Sequence, residues 1–395
     1  MDNPTPPTSL ICFGPLPPPV NGHTLAFQLG MNGCRSRGFR PRVIDYSPRW
    51  PTKRWLPGGR MVEYLFILGR YLAALVMGRP GTVYITLNQS VDGMCRDLFL
   101  MKTAFMAGCR VVVHIHGGCY DTILRQAPGI LRNGVVRALA RCDTVILLSE
   151  RLRGMFDQWP EVQRRCRTLP NGLPFEPVGC PDEPKSLPGD RPVRLLYLSN
   201  MIESKGWPVV LEAVERLVHH HGLSVRVKFC GAFMSAPEDR RFASPAEAKA
   251  WFDTYVGEHG MKDVVEYREH VGGEEKIRVL QEAHLLLLPS SYPNEGQPLT
   301  LIEGLAYGCV LVGTPYRAIP DMVVESETGL LLPPDPDLVA AGIANLLKNP
   351  ARYRAMSEAA LKLFKRDFHA AIHVERLMRI LAPPAGESNG GCAAV

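Results

Sequence analysis

Short apolar runs recur along the whole chain, four to seven residues long. In the first half they are Ser9 to Gly14, Thr82 to Thr86, Val111 to Ile115 and Thr144 to Leu148. In the second half they are Val193 to Leu198, Ser224 to Cys230, Leu285 to Pro289 and Val310 to Gly313. They read as continuous rather than alternating, which predicts strands buried on both faces of a parallel sheet. Helical stretches lie between them, among them Gly134 to Arg141, Pro208 to His220 and Glu274 to Ala283. Strand–helix–strand repetition predicts doubly wound α/β domains.

The chain has 395 residues, too many for one ordinary core and enough for two domains of roughly 180 to 200 residues each. Glu176 to Pro192 is rich in Pro and Gly and poor in large apolar residues, which is linker composition. The expected organisation is an N-terminal Rossmann-like domain at 1–180, a linker at 181–192 and a second Rossmann-like domain at 193–365. A C-terminal helix at 366–382, the end of a helical stretch from Pro350 to Leu381, is expected to cross back to the first domain. The tail at 383–395 is expected to be disordered. The two domains are expected to face each other across a cleft.

Composition narrows the class. Hydrophobic residues make up 46% and charged residues 21%, a globular balance. Eleven cysteines without C-x-x-C spacing predict reduced thiols in a cytosol rather than a disulfide framework or zinc site. Met1 to Thr8 lacks the pattern of a signal peptide. The most apolar helical stretch, Met61 to Met77, is interrupted by Glu63, Gly69 and Arg70. It therefore predicts a buried or half-buried helix, or a membrane-docking face, rather than a span.

Charge is unevenly distributed. Residues 1–180 carry 22 Lys and Arg against 11 Asp and Glu, whereas the remainder carries 23 against 28. Arg49, Lys53, Arg54 and Arg60 precede the apolar helix, so an anionic membrane surface or a phosphate-bearing acceptor suits the first half. No basic motif with interleaved aromatics supports a nucleic-acid partner.

The most informative segment is Pro289 to Pro315, PSSYPNEGQPLTLIEGLAYGCVLVGTP. It follows an apolar strand. Pro298 fits the first position of a helix and Gly308 the residue just past its end. Glu295, Gly296 and Gln297 then form a strand-to-helix loop, and Glu303 lies about a turn and a half into the helix. The free N–H groups and positive dipole end of a helix start suit a diphosphate. Gly296 permits close backbone approach. Glu303 can accept hydrogen bonds from the vicinal hydroxyls of a ribose, and Glu295 lies where a sugar would sit.

This segment resembles the E-x7-E motif of family-4 retaining glycosyltransferases, which have the GT-B fold. The resemblance implies that Glu295 lies near the donor hexose, that the backbone of Gly296, Gln297, Pro298, Leu299 and Thr300 holds the diphosphate, and that Glu303 binds the ribose. LYLSNMIESKG, Leu196 to Gly206, resembles the family's segment after the first strand of the second domain. Lys205 and Gly206 match it, and Lys205 is expected to face the diphosphate. Ser199 and Asn200 replace the usual glycine and arginine, leaving Asn200 to contact a phosphate as a neutral donor or another basic group to compensate.

In the first half, Gly14 to Gln28 resembles the family's opening loop, with Asn21 and Gly22 as contacts to the acceptor and Gly22 also to the donor phosphate. It is not the G-x-G-x-x-G of a dinucleotide site. HIHGG, His114 to Gly118, ends a strand; the resemblance selects His116 as the residue near the transferred sugar and the acceptor, and leaves His114 in the core. PNG at Pro170 to Gly172 resembles the turn closing the first domain. Gly231, at a strand end within FCGAF, and Val271 with Gly272, within YREHVGGEEK, resemble the lining of the base pocket. The resemblance runs from Gly14 to Phe364, with Asp321 standing where glutamate is usual.

The resemblance thus implies Glu295, His116 and Lys205 as catalytic residues. It implies transfer of a hexosyl group, with retention, from a nucleotide-diphosphate sugar to a lipid-linked or polysaccharide acceptor. The expected setting is cell-surface glycan synthesis, in the cytoplasm or peripherally on the inner face of the cell membrane. No cofactor and no essential metal are expected, since Lys205 and backbone dipoles are left to hold the phosphates and His219, His220 and His221 read as a solvated triplet. Two alternatives stay open: a GT-B-like sugar-nucleotide epimerase, which needs no acceptor, and a non-catalytic sugar-nucleotide-binding protein.

Overall fold

The structure, a computed structural model, describes residues 9–47, 59–78, 81–175 and 177–382. Two compact units are present: one holds the chain up to Pro174 together with the residues from Ala370 on, the other is Phe175–His369.

In the first unit the order is β1 (Leu10–Gly14), α1 (Gly22–Ser36), β2 (Arg42–Asp45), α2 (Gly59–Gly78), β3 (Thr82–Thr86), α3 (Val91–Met106) and β4 (Arg110–Ile115). It continues with α4 (Tyr120–Gln126), α5 (Gly129–Arg141), β5 (Thr144–Leu147), α6 (Pro160–Gln163) and β6 (Cys166–Thr168). The strands form one parallel sheet in the order β2-β1-β3-β4-β5-β6. Every residue of β1, β3 and β5 is buried, as continuous apolar runs require.

In the second unit the order is β7 (Val193–Leu198), α7 (Trp207–His219), β8 (Val225–Cys230), α8 (Pro245–Glu258), β9 (Val265–Arg268), α9 (Gly273–Glu282) and β10 (Leu285–Leu288). Next come α10 (Leu299–Ala306), β11 (Val310–Gly313), β12 (Gly329–Leu331), α11 (Pro336–Leu347) and α12 (Pro350–Leu363). This sheet is also parallel, in the order β12-β11-β10-β7-β8-β9. Each unit is therefore a doubly wound α/β sheet. Strand order reverses between β1 and β3 in the first and between β7 and β10 in the second, and ligands of such sheets bind outside the carboxyl ends of the strands at that switch.

The helical stretch read from Pro350 to Leu381 is not continuous. A π-helical turn at Phe364–Phe368 and extended backbone at His369 (φ −66°, ψ 141°) break it, and α13 (Ala370–Leu381) is part of the first unit. There α13 packs on α1: a Cβ at Gly33 would lie 2.3 Å from the Val374 side chain. Arg110 Nη2 donates to the Ile380 carbonyl (2.8 Å) and Nη1 to that of Leu381 (3.2 Å), holding the end of α13. His373 Nδ1 meets the Pro170 carbonyl at 2.7 Å, within the PNG turn.

The Pro-rich segment after Phe175 is tied to the second unit. Lys185 Nζ donates to the Leu280 carbonyl (2.8 Å), its amide donates to Ser357 Oγ (2.8 Å), and Tyr307 donates to the Val178 carbonyl (3.1 Å). The expected tail at 383–395, the side chains of Arg49, Lys53, Arg54 and Arg60, and Glu176 lie outside the described residues.

Candidate functional site

At the switch of the second unit, the chain leaving β7 meets the chain leaving β10. Gly206 makes this contact possible. Its φ of +84° favours glycine, and a Cβ there would lie 2.3 Å from the Pro289 carbonyl oxygen. The Ser291 amide donates to the Ser204 carbonyl (2.7 Å), fixing the two loops together. Lys205 is thereby carried to the loop before α10, where Nζ lies 3.6 Å from Glu295 Oε2 and 5.1 Å from the Tyr292 ring centre. Ser290 Oγ donates to the same carboxylate oxygen at 3.0 Å. Glu295 is 6% exposed, so a buried carboxylate is held by one ammonium and one hydroxyl.

Pro298 is the cap residue of α10 rather than its first helical residue. Its φ of −67° would suit either position, but its ψ of 117° is extended, and Leu299 opens the helix. Gly308 follows the helix in the left-handed conformation, φ +67°, as its position predicts. Glu295, Gly296, Gln297 and Pro298 are all buried, while Leu299 and Thr300 are half-buried. The first N–H groups of a helix have no partner within it, so the start of α10 carries free donors and a positive dipole end. Among the described residues, the buried hydroxyl of Thr300 has no hydrogen-bond partner.

Glu303, on the second turn of α10, is also 6% exposed. Lys276 Nζ lies 2.7 Å from its Oε1, and the same ammonium sits 4.7 Å from the Phe175 ring centre. Burial pushes the Glu303 carboxyl above its ordinary value, and the Lys276 pairing opposes this shift. Sequence reasoning missed Lys276 as a site residue. It lies at the end of the segment Tyr267 to Lys276, and nothing in the local spacing marks α9 as crossing to α10. Val271 is half-buried, one residue before Gly272, the cap of α9.

Gly231 and Asn200 are brought together at the ends of β8 and β7. Gly231 has φ +152°, and a Cβ there would lie 1.9 Å from the Ser199 carbonyl oxygen. Asn200 is exposed, and its carbonyl accepts from the Tyr197 hydroxyl at 3.2 Å.

The first unit presents a different chemistry at its own switch. Asn21 caps α1: its Oδ1 accepts from the Thr24 amide (3.0 Å) while Thr24 Oγ1 accepts from the Asn21 amide (3.1 Å). The Asn21 oxygen expected at the acceptor is thus engaged in the cap. Gly22 is the first residue of α1 and is exposed. His116 lies one residue past β4, its ring 3.9 Å from that of His114 and 4.4 Å from that of His23. His114 is buried, with Nδ1 2.7 Å from the Tyr84 hydroxyl. Sequence reasoning did not single out His23 or the buried pair Arg96–Asp97 (2.6 Å), whose guanidinium lies 4.1 Å from the Tyr46 ring centre.

Two doubly wound parallel sheets in one chain, with charged and amide groups gathered at the switch of the second, define the GT-B architecture. Residues 181–363 match the family model for glycosyl transferases group 1. The colanic acid biosynthesis glycosyltransferase WcaL of Salmonella typhimurium, a putative assignment in its own name, is 26% identical over 176 residues, 42% of this chain and 43% of that protein. The amylovoran biosynthesis glycosyltransferase AmsK of Erwinia amylovora is 26% identical over 196 residues, 48% of this chain and 45% of that protein. The match thus spans less than half the length of either relative.

Among solved structures, Anabaena HepE in complex with UDP superposes with a TM-score of 0.68 at 14% identity, covering 95% of this chain and 99% of that one. A glycosyltransferase from Rickettsia africae superposes with a TM-score of 0.70 at 13% identity, covering 95% and 98%. The likeness to these structures is one of fold, and the family match lies within the second unit.

Proposed function

We propose that this chain is a retaining glycosyltransferase that moves a hexosyl group from a nucleotide-diphosphate sugar to a lipid-linked or polysaccharide acceptor in cell-surface glycan synthesis. One observation carries the reading. The start of α10 is bracketed by two carboxylate–ammonium pairs, Glu295 with Lys205 and Glu303 with Lys276, at the switch point of the sheet. A diphosphate at the helix start would place a ribose within reach of Glu303 and a sugar beside Glu295. Relatives named for colanic acid and amylovoran synthesis, and neighbours solved with UDP and UDP-glucose, support the donor class and the setting.

In this mechanism the second unit binds the donor and the first, through Gly22 and His116, binds the acceptor. As the glycosidic bond to phosphate breaks, negative charge grows on the leaving diphosphate. The α10 amides and Lys205 stabilise that charge without metal chemistry. The acceptor hydroxyl attacks from the face of the leaving group, which retains configuration, and the departing phosphate takes the proton.

The test is a thermal-shift screen across nucleotide sugars, with and without EDTA. At a ligand concentration of about 100 Kd the stabilisation is about 2.7 kcal/mol, or roughly 5–10 °C for a domain of this size. One or a few nucleotide-diphosphate sugars should give this shift, unchanged by EDTA. No shift with any of them would contradict the reading. Product analysis without acceptor separates the epimerase alternative, and absence of donor turnover marks the non-catalytic one.

The proposal places the enzyme in the cytoplasm, docked on an anionic bilayer. No helix among the described residues is long and apolar enough to cross a membrane. Instead α2 has two apolar faces. Ile67, Tyr71, Ala74 and Leu75 pack into the core of the first unit, while Leu65, Phe66 (67% exposed), Leu72, Val76 (78% exposed) and Met77 form an uncovered stripe at helical spacing. The surplus of basic residues in 1–180 complements anionic headgroups. Burying a Phe or Val side chain contributes about 1.5–3 kcal/mol. The double variant Phe66→Ser/Val76→Ser should therefore lose at least tenfold in co-sedimentation with vesicles containing phosphatidylglycerol. Wild-type protein that stays in the supernatant at low salt would rule the docking out.

A further inference from the structure

The first turn of α1 and the end of β4 bring three histidines together in the first unit. The His23, His116 and His114 rings lie in that order, tilted by 31° and 33°, with centroids 4.4 Å and then 3.9 Å apart. Two buried histidines of this unit use a ring nitrogen structurally: His114 Nδ1 meets the Tyr84 hydroxyl, and His373 Nδ1 meets the Pro170 carbonyl. His23 and His116 differ. Both are half-buried where His114 is fully buried, and among the described residues the buried Nε2 of each, like that of His114, has no hydrogen-bond partner. An unpaired buried nitrogen costs about 1–3 kcal/mol unless a ligand supplies the partner.

The surroundings fix what that ligand is. Burial and, next, Arg96 push His23 down to about 4, and burial with the neighbouring histidines pushes His116 well down, so both rings are neutral at pH 7. Arg96 is itself paired with Asp97 at 2.6 Å and offers no net charge to an anion. A pair of neutral imidazoles presents one donor or acceptor each and an apolar face, which suits a neutral polyol rather than a phosphate.

We infer that His23 is a further acceptor-binding residue, hydrogen-bonding through Nε2 to a hydroxyl of the acceptor sugar while its ring holds His116 in place for a second. The inference rests on the glycosyltransferase reading for the word acceptor, but not for the sugar site itself.

The test uses full-length protein with ¹⁵N-labelled histidine, titrated with a panel of methyl hexosides, alongside calorimetry with nucleotide sugars. At least one glycoside should shift the Nε2 resonances of both His23 and His116. His23→Phe keeps a ring against His116 but removes the nitrogen. It should weaken that glycoside roughly three- to tenfold, the loss of one hydrogen bond, with donor affinity unchanged. His23→Gln, which restores a polar atom at similar reach, should recover part of the loss and serves if the Phe variant does not fold. Glycoside shifts without nucleotide-sugar binding would keep the sugar site and remove the glycosyltransferase reading. Absence of any shift, or wild-type glycoside affinity in His23→Phe, would overturn the inference whatever the donor does.

Discussion

Replacing Glu303 by alanine is expected to weaken nucleotide-sugar binding by roughly 10- to 100-fold. The estimate follows from the chemistry of the lost group, since a hydrogen bond to a charged partner contributes about 1.5–3 kcal/mol and about 1.4 kcal/mol is a factor of ten in affinity. Glu303 is buried and already holds Lys276 at 2.7 Å, so its carboxylate is fixed before the ribose arrives and little ordering is needed on binding. Glu303→Gln keeps the acceptor atom without the charge and should fall between alanine and wild type.

The same residue sets a pH dependence. Burial raises its pKa above the ordinary glutamate value of 4.5. The ionised form is lost as pH falls through that raised value. Donor affinity should decline on acidification sooner than an exposed glutamate would allow, and Glu303→Gln should flatten that decline. Calorimetric titration across pH measures both effects, and unchanged affinity in Glu303→Ala would remove the ribose assignment.

Replacing Lys205 by alanine is expected to lower kcat by roughly 10²- to 10³-fold, the effect of deleting one preorganised donor from a site of developing negative charge. Donor affinity should change less, because the helix amides still bind the ground-state diphosphate. Among the described residues, the variant leaves the buried Glu295 carboxylate with the Ser290 hydroxyl and without its ammonium. Stability should fall with activity, and circular dichroism must establish that the variant is folded. Lys205→Arg should recover part of the rate. A kcat within threefold of wild type, in donor hydrolysis or transfer, would remove Lys205 from the chemistry.

Much of the fold was legible because most central strands are largely apolar, although β8 carries Arg226 and Lys228 and alternates in burial. β3, β7 and β11 coincide with runs visible in the sequence, and β10 is four leucines. The strands without such a signal, β2, β6, β9 and β12, are the edges of the two sheets. An edge strand has one neighbour and is partly exposed, so its residues need not be continuously apolar: β9 alternates between half-buried and exposed, and β2 has one buried residue.

The grouping of residues at the start of α10 was legible because it is local. Glu295 to Glu303 is one loop and one helix start. Lys276 and His23 were not legible because their meaning is tertiary. α9 must pack near α10 before Lys276 reaches Glu303, and the start of α1 must meet the end of β4 before His23 reaches His116. Pro298 was misplaced by one position because a fixed φ is shared by helix and extended backbone, and only ψ separates them.

The central claim is that the start of α10 holds a diphosphate, with Glu303 at the ribose and Glu295 and Lys205 at the transferred sugar. A crystal structure of the protein with a nucleotide sugar identified by the thermal screen tests it most directly. The account predicts phosphate oxygens within hydrogen-bond distance of the Leu299 and Thr300 amides and both ribose hydroxyls on Glu303. A nucleotide bound with its phosphates away from Leu299, or with its ribose on another side chain, would contradict it.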